Sequence, residues 1–260
     1  DIVDNLGLGY DVSLSRWLPR LGLVYTPDEA THVRLAAWRD MNADTVGDAT
    51  LAPATLAGIV TKRPGDRNNL VQGVALGADM QLSSAWLLDG RAQQHLADQP
   101  NRQGSFSTKR IDQSRLALHW QPGNHPLIAN LAYEYERVQA PPSTQAIAWD
   151  SVQEQRLRSQ QLGLRWFTNS RWTVNLDWSH NRVSATMQSY DISFNPILVP
   201  YDEAFNQTNA SVSWRANKTG SMDIGVRNAG NRQYQYTSID PFNSRFSNGR
   251  LWYMKLKLAW

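Results

Sequence analysis

The chain ends in the segment Trp252-Tyr-Met-Lys-Leu-Lys-Leu-Ala-Trp260, which alternates strictly between two kinds of side chain. Counting back from the end, one set of positions is wholly apolar, whereas the other set contains Lys255 and Lys257. Successive side chains of a β-strand point to opposite faces, so a period of two predicts a strand. One face of this strand is apolar and the other is polar.

The same period recurs along most of the chain. It is clearest in the segments 6–14, 74–82, 127–136, 172–178 and 222–227. Runs of this kind, bounded by residues that favour turns, predict about twelve strands. We place them near 5–15, 20–27, 31–41, 69–82, 86–97, 109–121, 126–139, 152–168, 171–188, 204–217, 220–237 and 246–260.

Two kinds of connection alternate between these strands. Short turns, most of them rich in Pro, Gly, Asn or Ser, lie near 26–30, 83–85, 121–126, 168–170 and 217–220. Long connections lie near 41–69, 97–109, 139–152, 189–204 and 238–246. Short periplasmic turns and long extracellular loops are typical of transmembrane barrels. We therefore predict an all-β fold, a transmembrane antiparallel β-barrel of about twelve strands. It would be a single domain over residues 1–260, or the C-terminal part of a longer protein.

The composition agrees with a barrel. The chain has 11 Trp, 9 Tyr and 6 Phe, yet its mean hydropathy is only −0.51. A barrel combines the two because each strand carries a lipid-facing apolar row and a lumen-facing polar row. No stretch approaches the roughly 18–20 apolar residues that a spanning helix needs. There is no cysteine, and hence no disulfide or thiolate site.

Large aromatic residues cluster near the short turns and the C-terminus. Aromatic rings favour the headgroup level of a bilayer, so we predict a membrane-interface girdle on the apolar row. Its members are Tyr25, Trp86, Trp120, Trp166, Trp172, Trp214 and Trp260.

The polar rows carry charges of both signs. We predict that they line a pore, with the alternative that opposite charges pair and fill the lumen. The predicted pore-lining residues are Arg34, Asp79, Asp89, Arg91, Arg115, Glu134, Glu136, Arg165, Asp177, Arg215, Asp223, Arg227, Lys255 and Lys257. The last strands are rich in basic residues, which would attract acidic sugars or phosphate.

Catalysis finds little support in the sequence. Ser179 and His180 are adjacent, and neighbouring residues of a strand point to opposite faces. The five histidines have no spacing suited to a metal site. We predict no catalytic residue, no metal and no cofactor. Two predicted loops, 50–60 and 193–201, are unusually apolar. Lumen constriction, loop packing and docking of a partner all remain open for them.

The segment Pro19-Arg-Leu-Gly-Leu-Val-Tyr-Thr-Pro27, followed by Thr31-His-Val-Arg-Leu-Ala-Ala-Trp38, resembles a hairpin of TonB-dependent receptor barrels, with Arg34 pointing inward. The stretch 51–58 resembles a loop of barrels fused to periplasmic tetratricopeptide repeats, which are similar in plan to exopolysaccharide-export porins. The aromatic C-terminal strand resembles the signature that the barrel-insertion machinery of bacterial outer membranes reads.

These resemblances imply an integral protein of the bacterial outer membrane. The first hypothesis is a channel or translocation barrel for hydrophilic solutes or a secreted polysaccharide. The alternative is an occluded structural or assembly barrel that binds proteins through its loops or periplasmic side, and a hydrolase is the third hypothesis. Expected partners are outer-membrane lipid and lipopolysaccharide, the insertion machinery, and a periplasmic or surface protein. A net charge of +3, evenly interleaved, gives no reason to expect nucleic acid.

Overall fold

A computed structural model describes residues 2–5, 11–14, 17–42, 55–61, 69–100, 106–140, 151–193, 195–217, 220–233 and 249–258. These residues form fifteen strands. They are β1 (Ile2–Asn5), β2 (Asp11–Leu14), β3 (Arg20–Asp28), β4 (Thr31–Asn42), β5 (Thr55–Leu56), β6 (Ile59–Val60), β7 (Asn69–Gln81), β8 (Trp86–Pro100), β9 (Phe106–Trp120), β10 (Leu127–Gln139), β11 (Ser151–Phe167), β12 (Trp172–Tyr190), β13 (Pro196–Arg215), β14 (Gly220–Arg227) and β15 (Leu251–Leu258). Among the described residues, no helix is long and apolar enough to cross a membrane.

Eleven of the strands form one antiparallel sheet in the order β15-β14-β13-β12-β11-β10-β9-β8-β7-β4-β3. Apart from the hairpin β5–β6, which lies between β4 and β7 in the chain, each strand pairs with its neighbours in sequence. Eleven of the twelve predicted strands are therefore confirmed. The strand predicted at 5–15 is wrong, because β1 and β2 pair with each other as a separate hairpin. The sequence between them contains Gly7 and Gly9, and glycine weakens a continuous strand.

Short turns lie at one end of the sheet, as predicted, and side chains close them. Asn169 Oδ1 accepts hydrogen bonds from the backbone N–H groups of Arg171 (2.8 Å) and Trp172 (3.0 Å). Asn217 Oδ1 accepts one from Gly220 N at 2.7 Å. Asparagine favours turns because its side chain can replace a backbone partner in this way. This end is hereafter the short-turn end.

Two connections at the opposite, long-loop end are shorter than predicted. The connection predicted at 97–109 is limited to 101–105, and the one predicted at 189–204 to 191–195. In the second, the carboxylate of Asp191 accepts hydrogen bonds from the backbone N–H groups of Ser193 and Asn195, both at 2.8 Å. These hydrogen bonds lower the pKa of Asp191 below its ordinary value. Because Asp191 organises a tight turn, β13 begins already at Pro196.

The apolar segment 193–201 is therefore largely not a loop. From Pro196 onward it pairs with β12, with Leu198 opposite Gln188 and Pro200 opposite Thr186. In the described residues β13 pairs with β14 only through Ala210–Arg215. Pro196 and Pro200 thus lie where β13 has one neighbour, which is where a strand tolerates proline. The prediction of an apolar loop here is wrong because this local pairing outweighs the loop-forming prolines.

The strands β11, β12 and β13 are long, with 17, 19 and 20 residues. A strand needs only about 9–11 residues to cross a bilayer. Since the short turns end the strands at one side, the surplus extends beyond the membrane thickness at the long-loop end.

The two faces of the sheet differ sharply. On β15 the apolar face exposes Trp252 by 68% and Met254 by 71%, and on β3 it exposes Leu21 by 72%. Leaving large apolar side chains in water costs about 25 cal/mol per Å². An extended apolar face of this kind must be covered, and lipid covers it in a membrane barrel.

Aromatic rings lie over glycines on the polar face. Trp38 pairs directly with Gly73 on the neighbouring strand, and Tyr253 pairs directly with Gly225. A Cβ at Gly225 would lie 2.7 Å from the Tyr253 ring and 2.8 Å from the Ala210 carbonyl oxygen. Aromatic residues that cover glycines fix the register of a curved sheet.

We expect Gly225→Ala to lower the free energy of unfolding by about 1–3 kcal/mol, because the added methyl group overlaps a backbone atom that cannot move away. Gly90→Ala is the matched control, since a Cβ there meets nothing nearer than 3.6 Å. Urea unfolding of both variants in lipid vesicles would measure the difference. Equal midpoints would show that the Tyr253–Gly225 contact does not constrain the sheet.

Candidate functional site: the polar face

All fourteen predicted pore-lining residues lie on one face of the sheet. The registers require it: Asp79 is opposite Asp89, Arg115 is opposite Glu134, and Asp223 is opposite Lys255. Directly paired residues of antiparallel strands share a face. The remaining eight are placed on the same face by the same rows: Arg34, Arg91, Glu136, Arg165, Asp177, Arg215, Arg227 and Lys257.

Charges on β4 to β11 are joined in a network across the sheet. Arg34 forms an ion pair with Asp79. Arg115 lies 3.2 Å from Glu134 and 3.8 Å from Asp89. Gln161 donates a hydrogen bond to Glu134 at 2.9 Å. Opposite charges on neighbouring strands therefore pair along this half of the sheet. The alternative interpretation of the sequence, that paired charges fill the lumen, stays a prediction.

Glu136 and Arg91 flank this network. Glu136 accepts a hydrogen bond from Gln113 Nε2 at 2.5 Å. Arg91 lies directly opposite Arg115 in the register. In the described part of the chain Arg91 has no ion pair. The two arginines thus face one another, and only Arg115 is neutralised by carboxylates.

The cations of the polar face on β13, β14 and β15 form no such ion pairs within the described residues. Arg227 stacks over the Tyr253 ring at 5.4 Å, and Asp223 accepts a hydrogen bond from Ser213 Oγ at 2.9 Å. Within the described residues, no ion pair involves Arg215, Arg227, Lys255 or Lys257. This half of the polar face therefore carries an excess of positive charge.

A small hairpin covers part of the polar face. β5 and β6 are joined by Ala57 (φ 49°) and Gly58 (φ 77°), so both turn residues are left-handed, as in the tight turns of two-residue hairpins. Ile59 is 2% exposed and packs with Ala36, Trp38 and Ala75. The hairpin belongs to the predicted apolar loop 50–60. The structure places it on the face of the sheet that carries the charges.

The tip of this hairpin lies far from the long-loop end of the sheet. A Cβ at Gly58 would lie 3.6 Å from the Arg34 side chain, so the turn sits against the Arg34–Asp79 pair. Arg34 is only three positions from the start of β4 at the short-turn end, whereas β4 continues to Asn42. At about 3.3 Å per residue, the tip of the loop lies about 25 Å along the strand from the long-loop end.

The polar face also contains apolar patches that alternation alone does not reveal. Trp38 is buried and meets the His95 ring edge-to-face at 5.2 Å. Near the long-loop end, Val183, Ala185 and Phe205 form a buried cluster. The sequence carried a signal for this cluster, because the apolar residues Val183 and Ala185 occupy positions of the polar row.

The predicted aromatic girdle lies on the opposite, apolar face. The Trp86 and Trp120 rings are 6.2 Å apart, and those of Trp172 and Trp214 are 6.1 Å apart. Both pairs stand directly beside short turns. Tyr25 and Trp166 are exposed on the same face. Trp260 lies outside the described residues.

Candidate catalytic groups are not brought together. Ser179 pairs with Gln207 and faces the polar side, whereas His180 pairs with Asn206 on the opposite side and contacts it at 2.8 Å. Within the described ranges, no group of three or more His, Asp or Glu side chains is placed to hold a metal ion.

Comparison with solved structures defines the fold. The FrpB iron transporter from Neisseria meningitidis (F3-3 variant) aligns with a TM-score of 0.59 and 17% identity, over 93% of this chain and 39% of its own. The ferric-catecholate import receptor Fiu from K12 E. coli aligns with a TM-score of 0.55 and 13% identity, over 92% of this chain and 34% of its own. No protein-family model matches the chain, and no curated protein matches it in sequence.

The fold is thus that of a transmembrane antiparallel β-barrel of the outer-membrane type, and the resemblance to TonB-dependent receptor barrels is confirmed at the level of fold. The chain spans 34–39% of the length of these two neighbours. The resemblance of 51–58 to barrels fused to tetratricopeptide repeats stays a prediction.

We expect Arg115→Met to lower the free energy of unfolding by about 1–2 kcal/mol, because Asp89 and Glu134 lose their shared cation. Arg91→Met is the matched control. It removes the same charge from the position opposite, but breaks no ion pair within the described chain, so its effect should stay within about 0.5 kcal/mol. Denaturant titration in lipid vesicles measures the free energy of unfolding of both variants. A larger loss in Arg91→Met than in Arg115→Met would contradict the network.

Proposed function

We propose that the chain forms the wall of an outer-membrane translocation barrel for hydrophilic solutes. The observation that carries this proposal is the placement of all fourteen predicted pore-lining residues on one face of the sheet, opposite the face that carries the aromatic girdle. Charged and hydrogen-bonding groups on such a wall can replace the hydration shell of a polar solute. The solute can then cross the membrane without entering lipid. The fold shared with FrpB and Fiu, whose names describe transport and import, supports a transport role.

The membrane-facing side supports the same proposal. Tyr25, Trp86, Trp120, Trp166, Trp172 and Trp214 would mark the interface at the short-turn end, which we assign to the periplasm. Lipid and lipopolysaccharide would cover the apolar face between this girdle and the long-loop end. The C-terminal strand would engage the barrel-insertion machinery. A secreted polysaccharide remains one candidate substrate.

Within this barrel, the β5–β6 hairpin would act as a constriction. It reaches the polar face from the long-loop end, and the buried Ile59 anchors it there. The hairpin is also the observation that favours the alternative function, an occluded barrel, and conductance separates the two.

The first experiment measures ion flow through the protein reconstituted in a planar bilayer under a salt gradient. Replacement of Arg227, Lys255 and Lys257 by Gln removes three positive charges from the polar face, so the reversal potential should shift toward cation selectivity. The control replaces Arg156, Arg158 and Arg182, which lie on the other face, and should leave selectivity unchanged. A folded barrel that carries no current would contradict a passive conduit.

A second experiment tests the constriction. Ile59→Asn buries an amide without an assured partner, at a cost of about 1–3 kcal/mol, and should release the hairpin and raise the single-channel conductance. Val60→Asn is the matched control, because Val60 is 47% exposed on the opposite side of the same hairpin. If both variants conduct like the parent protein, the hairpin does not narrow the path.

A further inference from the structure

A cavity of about 480 Å³ lies in the polar face between the paired network and the basic strands. Two small residues, Ala132 on β10 and Gly163 on β11, belong to its lining. Pockets of this size hold small solutes. We call this cavity the amide niche, because Asn, Gln and Ser side chains dominate its lining.

One row of the sheet defines the chemistry of the amide niche. Asn130, Gly163, Asp177 and Asn209 lie directly opposite one another on β10 to β13. Adjacent strands are about 4.8 Å apart, so the row presents polar groups at regular intervals. Gly163 is the gap in this row.

The gap exposes a carboxylate and an amide to the same space. A Cβ at Gly163 would lie 3.3 Å from Asp177 Oδ1 and 3.7 Å from Asn130 Nδ2. Any side chain at position 163 would therefore fill the space between these two groups. Glycine at this point keeps both accessible.

The hydrogen-bonding capacity of this row is only partly used. Asn130 Oδ1 contacts His119 Nδ1 at 2.7 Å, and Asn209 Oδ1 accepts the backbone N–H of Asn228 at 3.0 Å. The amide nitrogens of Asn130 and Asn209 make no further hydrogen bond within the described chain. Neither does the carboxylate of Asp177. A donor, an acceptor and a second donor are thus left in a line.

The surroundings decide which solute fits. A free anion such as phosphate is disfavoured by the Asp177 carboxylate. Arg115 also lines the niche, but its guanidinium is paired with Glu134 at 3.2 Å and with Asp89 at 3.8 Å. Arg165, outside the lining, donates a hydrogen bond to Asn175 at 2.9 Å. Hydroxyl groups both donate and accept hydrogen bonds, so several adjacent hydroxyls match a line of alternating donors and acceptors. Gln161 and Ser179 add further neutral groups to the lining.

We propose that the amide niche binds a neutral polyhydroxylated solute, a sugar unit, on the lumen wall. The inference rests on the proposed translocation function, for which it names the substrate class. Asp177 would accept hydroxyl protons, and the amide nitrogens of Asn130 and Asn209 would donate to hydroxyl oxygens.

The experiment measures equilibrium binding of a neutral maltooligosaccharide to the folded protein in detergent micelles by titration calorimetry. Asp177→Asn keeps the shape but replaces the charged acceptor, and should weaken binding about tenfold or more. Gly163→Ala, which narrows the gap, should weaken it as well. Asp223→Asn is the matched control, because Asp223 is a carboxylate of the same face outside the niche, and it should bind like the parent protein.

Three outcomes would overturn the proposal. Absence of saturable sugar binding would do so, as would equal losses in Asp177→Asn and Asp223→Asn. Tighter binding of a cationic amino-sugar oligomer than of the neutral one would show that Asp177 recognises positive charge instead. The binding measurement in micelles does not depend on ion flow, so the two proposals can fail separately. If the protein conducts ions but binds no sugar, only the proposed sugar site is wrong. If it binds sugar but carries no current, only the proposed conduit is wrong.

Discussion

The structure depends on one constraint, the continuous register of backbone hydrogen bonds in an antiparallel sheet whose side chains alternate between faces. A slip of one residue in any strand would move its charged row into the apolar face. From β7 to β13 the registers run with a single irregularity, between Val152 and Glu154. The charged network, the amide niche and the apolar face all follow from this register. Rings that cover glycines, such as Trp38 over Gly73, add side-chain contacts that oppose a slip.

Most of the strands and the assignment of residues to faces could be predicted from the sequence. Alternation is a local property, so Lys255 and Lys257 could be separated from Met254 and Leu256 without knowledge of any partner strand. The same argument placed Ser179 and His180 on opposite faces. Turn residues such as Asn169 and Asn217 marked the short-turn end because their side chains act within a few residues.

Features that depend on distant contacts could not be predicted. The segment 193–201 contains two prolines and looked like a loop, and only the Asp191 turn and the unpaired edge of β13 explain its strand structure. The docking of Ile59 depends on Ala36 and Ala75, which are far away in the chain, so periodicity carried no signal for it. Similarly, Asp177 was predicted to line the lumen, but its place beside Gly163 and Asn130 required the registers of three strands.

The great length of β12 and β13 has a consequence for how the protein meets its environment. At about 3.3 Å per residue, these strands are roughly 60 Å long, and much of that length stands outside the bilayer as hydrogen-bonded sheet. Arg182 lies in this part and is paired with Asp202 on the neighbouring strand. A protease needs a flexible, unpaired stretch of chain to bind in its active site. Trypsin applied at the long-loop end would thus meet arginines that are exposed to water but held in a hydrogen-bonded sheet. This surface should resist digestion for as long as the sheet stays folded.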